Sequence, residues 1–166
     1  MNPYEEMLDS VTQEVPVIEA PLLHLGVEGY YRNGIIYIDS SIGYPRKREI
    51  LAEEYGHYKT TCGNILHQTS ADDRKQEMVA RNLSAALLVQ PKDILRCFES
   101  GYKQIWECAE FLEISVETFT SAVKVYANQF EFLELNDNYT LWFKEDGTVG
   151  VFERFDFKND MKIPHT

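Results

Sequence analysis

The residues best suited to chemistry in this chain form one short run at positions 53–57, which reads Glu-Glu-Tyr-Gly-His. On an α-helix, residues four positions apart lie on the same face, so Glu53 and His57 would point the same way. Carboxylates and imidazoles both bind divalent metal ions. The run therefore predicts part of a metal site, with Glu54 beside it as an acid–base group. An ordinary amphipathic helix with two acidic residues near its middle is the alternative that the run alone leaves open.

The run differs by one residue from the H-E-x-x-H helix of zinc peptidases. In that motif the two histidines hold the metal, and the glutamate between them is the general base. Here Glu53 takes the place of the first histidine, whereas Glu54 and His57 match the motif. Because a carboxylate is also a metal ligand, we expect the change to weaken the motif without removing its chemistry.

A third ligand is expected from the next helix. Residues 72–89 begin with two acids and continue in Ala, Leu, Met and Gln, which predicts a helix. On it Glu77, Ala80, Ser84 and Leu87 fall near one face. The small side chains at positions 80 and 84 would let two helices approach closely and bring Glu77 to the metal. From spacing alone, a solvated Glu77 in the first turn is an equal alternative.

Together these segments resemble the ImmA/IrrE family of metallopeptidases, in particular its phage and mobile-element branch. The resemblance rests on positions 51–58, 60–61, 63–65, 74–77, 80–81 and 87–88, followed by Pro91. It continues through 109–112 and 137–139 to 150–153, and so covers most of the chain after about residue 30. In that branch, Glu at the first motif position is a family variant.

The resemblance implies an α+β fold: a mainly helical, zincin-like metallopeptidase core with a small sheet, a helix-turn-helix-like module and a C-terminal β-hairpin. It implies a divalent metal ion held by Glu53, His57 and Glu77, with zinc expected and manganese or iron as alternatives. In the peptidase mechanism that the resemblance implies, the ion polarises the scissile carbonyl and lowers the pKa of a bound water. Glu54 takes the water's proton and passes it to the leaving amine.

The same resemblance implies a specific biological role. Family members on mobile elements cleave a helix-turn-helix repressor and thereby relieve repression, which makes one protein the expected substrate. Two other classes of function stay open. One is a catalytically weak or inactive module that binds the repressor, favoured by Glu53 in place of histidine. The other is a transcription regulator that binds DNA through residues 103–127.

Residues 103–127 read as two helices separated by a turn, similar to the start of a helix-turn-helix. The expected apolar faces are Ile105, Trp106, Ala109 and Leu112, then Val116, Phe119, Val123 and Tyr126 after a cap at Ser115. The second helix has Lys124 as its only basic residue, whereas a DNA-reading helix needs polar and basic side chains at the base edges. The net charge of −11 also repels nucleic acid. We therefore expect a packing or protein-docking module, no direct contact with nucleic acid, and a surface compatible with a basic protein partner.

The composition is typical of a soluble intracellular domain. A chain of 166 residues with 44% hydrophobic content suits one compact domain. We find no apolar run near the roughly 20 residues that span a bilayer, and no secretion signal. The three cysteines, Cys62, Cys97 and Cys108, lack C-x-x-C spacing, which fits reduced thiols. The expected location is the cytoplasm of a bacterial host of a phage or mobile element.

The expected organisation has three regions within one compact domain. They are a metallopeptidase-like region over 1–100, a helix-turn-helix-like module over 101–130 and a β-hairpin region over 131–166. Helices are expected over 4–14, 45–58 and 91–100, a strand over 34–39, and a hairpin of 140–143 with 149–152 whose aromatics cover a core face. His24 is expected to be a buried core histidine, and His67 a solvated loop residue.

Overall fold

A computed structural model describes residues 1–61 and 70–154 of the chain. Within them the helices are α1 (Pro3–Thr12), α2 (Tyr44–Thr61), α3 (Ser70–Leu88), α4 (Pro91–Glu99), α5 (Ile105–Phe111) and α6 (Val116–Ala127). The strands are β1 (Val17–Ala20), β2 (Gly29–Arg32), β3 (Ile35–Asp39), β4 (Phe132–Glu134), β5 (Tyr139–Phe143) and β6 (Val149–Glu153). The expected α+β, mainly helical fold is confirmed. The expectations for Cys62, for His67 and for residues beyond 154 lie outside the described residues.

The first sheet has β3 at its centre. Its strand order is β1-β3-β2, with β1 parallel and β2 antiparallel to β3. The inward side chains Ile36 and Ile38 are fully buried. Of these strands the sequence predicts β3 alone, because β1 and β2 have four residues each and no long alternating pattern.

Helix α2 packs on this sheet and carries the residues of the candidate site. Leu51 and Tyr55 lie in the core that the helix shares with β3 and α1. A side chain at Gly29 on β2 would bring its Cβ within 2.3 Å of Ile50 Cγ2 and 2.9 Å of the Tyr37 carbonyl oxygen. Glycine at position 29 is therefore required for the close approach of α2 to the sheet.

Helices α2 and α3 also cross at very short range. A Cβ added at Gly56 would lie 2.7 Å from the carbonyl oxygen of Ala80, and Ala80 itself is buried. The two small residues therefore set the spacing of the helices, as the sequence predicts for Ala80.

Helices α4, α5 and α6 form a second core together with β5. Phe119, Val123 and Tyr126 are buried there, as predicted, and the Tyr126 hydroxyl donates to the carbonyl of Val89 over 2.9 Å. Ala109 and Leu112 are buried too. The expected faces are wrong at Ile105, Trp106 and Val116, which are 40%, 58% and 49% exposed. All three lie in the first turns of their helices, where the chain enters from the surface.

His24 is exposed, so its assignment as a core histidine is wrong. The apolar stretch around it forms a short 3₁₀ turn at Leu23–Leu25 on the surface, and only Leu22 beside it is buried. The buried Asp39 carboxylate fixes this turn by accepting the backbone N–H groups of Leu22 and Leu23 over 2.5 and 2.7 Å. Those bonds depend on β3, which a local pattern of apolar residues does not reveal.

Arg48 links α2 to the ends of α3 and α5 through hydrogen bonds. Its guanidinium donates to the carbonyl oxygen of Leu88 over 3.2 Å and to that of Leu112 over 3.1 Å. These carbonyls lie at the C-terminal ends of α3 and α5, where helical backbone acceptors lack partners within the helix. Burial lowers the pKa of Arg48, and nearby carboxylates oppose that shift.

The second sheet is antiparallel, with strand order β4-β5-β6. The predicted hairpin of β5 and β6 is confirmed, and Gly147 in its turn has a φ of +82°. Leu141 and Phe143 face the core, whereas Trp142 and Phe152 stack on each other on the opposite face. The aromatics therefore cover the core only in part. Among the described helices, none combines the length and apolar character needed to cross a membrane.

Candidate metal centre

Glu53, His57 and Glu77 converge at the crossing of α2 and α3. One ligand atom from each lies within 4.8 Å of the other two. The Nε2 atom of His57 is 3.9 Å from a carboxylate oxygen of Glu77. The side chains of His57 and Glu77 are 30% and 44% exposed, so the group opens to solvent. The structure thus brings together all three residues that the sequence selects as ligands.

This donor set fits a divalent metal ion. Two carboxylates and one imidazole are ligands that zinc, manganese and iron accept. Ligand atoms at about 2.0–2.2 Å from an ion lie at most roughly 4 Å apart, so small rotations of these side chains would close the set. Three protein ligands also leave a coordination position open, as catalytic centres require.

Glu54 lies on the neighbouring face of α2, between the cluster and β2. Its side chain is partly buried and receives a hydrogen bond from the backbone N–H of Tyr31. Burial raises the pKa of Glu54, His57 opposes the rise, and the carboxylates of Glu53 and Glu77 add to it. The charges of all three cluster residues therefore act on this carboxyl group.

Arg81, one turn further along α3, forms an ion pair with Glu77 of the cluster. Its Nε donates to Glu77 Oε1 over 3.3 Å, in an i, i+4 pair on the helix surface. The sequence names Arg81 only through the family resemblance. Its contact with Glu77 follows from the helical spacing once α3 is placed.

A cleft of about 270 Å³ opens beside Glu53, and we call it the first cleft. Helices α2, α3 and α6 form its walls, with polar lining residues that include Arg46, Glu53, Arg81, Ser84, Thr118 and Ser121. Sequence reasoning missed the contribution of α6. Its hydroxyl side chains reach the cleft only because the helix-turn-helix-like module packs against α2.

Glu49 fixes that packing. This buried carboxylate accepts the backbone N–H of Ser115 over 2.8 Å and the hydroxyl of Thr118 over 2.7 Å. Burial alone would raise the pKa of Glu49, but these hydrogen bonds outweigh it, and the pKa lies below its usual value. An acid at this position also stabilises the N-terminal end of α6 through the helix dipole.

Two cysteines in the described part of the chain are buried free thiols, Cys97 and Cys108. Burial raises the pKa of both and brings that of Cys97 to about 12. A thiol at such a pKa is protonated near neutrality and is a poor nucleophile. Among the described residues, the groups suited to chemistry are therefore the cluster carboxylates, Glu54 and His57.

A mainly helical α+β fold with a carboxylate–histidine cluster at a helix crossing, and a partly buried acid beside it on α2, is compatible with a metallopeptidase-like protein. The family model of the IrrE N-terminal-like domain, Peptidase M78, matches residues 12–124, and the chain belongs to this family. The expected resemblance to ImmA/IrrE proteins is thereby confirmed, and the family supports a metal-dependent, peptidase-like function. No curated protein matches the chain.

Proposed function

We propose that this protein is a metal-dependent endopeptidase that cleaves a helix-turn-helix repressor of a phage or mobile element and so relieves repression. The observation that carries the proposal is the convergence of Glu53, His57 and Glu77, with Glu54 beside them on α2. Family membership supports the peptidase class. The repressor as substrate rests on the resemblance to ImmA/IrrE proteins of mobile elements.

In this proposal Glu53, His57 and Glu77 hold one divalent ion, for which zinc is the first candidate and manganese and iron are alternatives. The ion, when bound, supplies Lewis-acid polarisation of the scissile carbonyl and a lower pKa for water. Glu54 accepts a proton from the attacking water while the water oxygen forms a bond to the carbonyl carbon. The C–N bond then breaks, and Glu54 returns the proton to the leaving amine.

The surroundings of Glu54 suit this role. The hydrogen bond from Tyr31 orients the carboxylate, and β2 and α2 shield one side of it from bulk water. The first cleft leads to the cluster on the side of Glu53 and offers room for a polypeptide segment. The charge of −11 favours a partner with a basic surface, and a DNA-binding repressor has one.

The test is incubation of the purified protein with the repressor encoded beside its gene, with added divalent metal or with a chelator. We expect one discrete pair of repressor fragments with metal, and intact repressor with chelator. The Glu54→Gln variant with metal serves as the control for contaminating proteases and should leave the repressor intact. Intact repressor in the presence of the metal-loaded wild-type protein would overturn the proposal.

A second function has its own support in the carboxylate at position 53. Two carboxylates and one imidazole formally neutralise a divalent ion, which weakens both metal binding and the activation of water. The protein would then be a weak or inactive peptidase that acts by binding the repressor. A stable complex with the repressor, measured by calorimetry, without any fragment in the metal-loaded sample would favour this function.

A further inference from the structure

A second cleft adjoins the metal cluster on the side of Glu77. Its volume is about 390 Å³, and α3 and α6 form its walls. Arg81 and Ser121 line both clefts, so the two meet along these residues. Glu53 lines the first cleft and Glu77 lines the second, so the cluster borders both clefts. A peptide bond held at the cluster would therefore place chain on its two sides into two different clefts.

The two clefts differ in charge. Among the described residues, the lining of the second cleft includes three cationic side chains, those of Arg74, Arg81 and Lys124, and one carboxylate, that of Glu77. Its other polar residues are the uncharged Asn82, Ser121 and Asn128. This excess of positive charge stands out in a chain with a net charge of −11. The second cleft therefore attracts anionic groups, although the protein as a whole repels them.

The first cleft lacks this excess. Its two arginines, Arg46 and Arg81, face three carboxylates, those of Glu49, Glu53 and Glu117. Arg46 already donates to Glu28 over 2.9 Å and to Glu49 over 3.3 Å. A substrate residue in the first cleft thus meets a nearly balanced, hydroxyl-rich surface. Of these two clefts, as the described residues line them, the second is the one with an excess of cationic side chains.

We propose that the second cleft is a substrate subsite for an aspartate or glutamate side chain close in sequence to the scissile bond. The proposal rests on the proposed function in one respect, that the scissile bond lies at the cluster. Arg81 uses Nε for Glu77, and its guanidinium carries four further N–H donors suited to a carboxylate. Lys124 adds a mobile ammonium group from the opposite wall.

The second cleft should bind an acidic side chain more tightly than a basic or neutral one. A lysine or arginine in the second cleft would face the like charges of Lys124 and Arg81. A neutral residue would cover Lys124 and the remaining N–H donors of Arg81 without offering them a carboxylate. The acidic surface of the protein as a whole therefore favours a basic part of the partner, whereas the subsite favours an acidic part of the same partner. A repressor with a basic DNA-binding part and an acidic segment elsewhere in its chain would satisfy both.

The test measures binding, so it does not depend on turnover. The Glu54→Gln protein, which should not hydrolyse its ligand, is titrated with three fluorescein-labelled dodecapeptides of alanine, glycine and serine. They differ only in a central pair of residues, which is Glu, Gln or Lys, and fluorescence anisotropy is read with and without zinc. We expect the Glu peptide to bind about tenfold more tightly than the Gln peptide, and the Lys peptide to bind least.

The Lys124→Glu variant in the same background should remove most of this preference, because it reverses one of the three cations. Lys92→Glu is the matched control: it changes the net charge equally at an exposed residue on α4, and the preference should persist. Equal binding of the three peptides, no measurable binding, or equal loss in both variants would overturn the proposal. So would tighter binding of a single-stranded oligonucleotide, which would assign the cleft to nucleic acid.

The outcome is separable from that of the proposed function. Charge-selective binding by a protein that never cuts its repressor would refute the peptidase and leave the subsite intact. Repressor cleavage by a protein that binds the three peptides equally would refute the subsite alone.

Discussion

The acid at position 53 is the residue that most distinguishes this centre from an H-E-x-x-H site. A carboxylate in place of a neutral imidazole adds a negative charge next to the ion, which makes a bound water less acidic. Oxygen donors also shift preference from zinc toward manganese or iron, although the general affinity order still favours zinc over both. We expect a chelator-sensitive centre with slow turnover on one protein partner.

Glu54 is the residue on which catalysis should depend most directly. Glu54→Gln keeps the shape and the hydrogen bond from Tyr31 but cannot accept a proton. We expect cleavage of the repressor to fall by about 10²–10⁴-fold, with fold and metal content nearly unchanged. Single-turnover cleavage rates, circular dichroism and zinc titration by calorimetry measure the cleavage, the fold and the metal content in turn.

The exposed acid Glu110 on α5 offers the matched control, and Glu110→Gln should cut at the wild-type rate. A Glu54→Gln protein that matches it in rate would remove Glu54 from the mechanism.

At the scale of elements, the cluster depends on the spacing of α2 and α3. Gly56→Ala places a Cβ 2.7 Å from the Ala80 carbonyl, so the helices must separate by about 0.7 Å to reach ordinary contact. Glu77 then moves away from His57, and ligand positions tolerate only about 0.5 Å. We expect roughly tenfold weaker zinc binding, measured by calorimetry, although position 56 supplies no ligand.

The stability of Gly56→Ala should fall by less than the cost of overpacking alone. Overpacking costs about 1–3 kcal/mol, and the better helix propensity of alanine offsets about 1 kcal/mol of that. Gly43→Ala is the control, because its nearest contact would be an ordinary 3.9 Å to Pro45. Unchanged zinc affinity in the Gly56→Ala protein would show that helix spacing does not set the site.

The end of β3 gives stability a defined pH dependence through Asp39. Hydrogen bonds from the Ser41 hydroxyl and from the N–H groups of Ser41, Leu22 and Leu23 outweigh burial and lower its pKa to about 2. A lowered carboxyl pKa stabilises the fold above the unfolded-state pKa of about 4, and this contribution is lost as the pH falls toward 2.

We expect Asp39→Asn to unfold at a lower urea concentration than wild type at pH 7. The difference between the two urea midpoints should narrow as the pH falls from 4 to 2. Urea titrations of both proteins across this range measure it. A gap that stays constant down to pH 2 would show that the Asp39 charge does not fix the turn at Leu23–Leu25.

Elements with strong local signals are predictable from the sequence, and those defined by distant partners are not. Helix α2 and the β5–β6 hairpin follow from a proline near a helix start and an Asp-Gly turn. Strand β4 has only three residues and is defined by its pairing with β5. The exposed turn around His24 was likewise not predictable, because the buried carboxylate of Asp39 on β3 fixes it through hydrogen bonds.

At the scale of the whole molecule, the chain is acidic and its helix-turn-helix-like module is built into the core. Glu49 of α2 occupies the N-terminal end of α6, the part of a reading helix that would meet base edges. We predict no DNA binding of useful affinity by the intact protein. Tight, salt-sensitive binding to its own promoter region in a gel-shift titration would contradict this and favour the transcription regulator.

The candidate centre was more predictable than its surroundings. Helical spacing and the family resemblance select Glu53, Glu54, His57 and Glu77, because each lies at a fixed offset in a recognisable helix. The clefts beside them were not predictable. They arise where α6 packs against α2 and α3, and residues such as Ser121 and Lys124 gain a role only through that packing.

The central claim is that one divalent ion binds to Glu53, His57 and Glu77, and zinc titration by calorimetry tests it most directly. We predict one ion per wild-type chain, loss of most of the affinity in Glu77→Gln, and tighter binding in Glu53→His, where a neutral ligand restores the two-histidine pair. Wild-type zinc affinity in both variants would show that neither carboxylate is a ligand and would contradict the account.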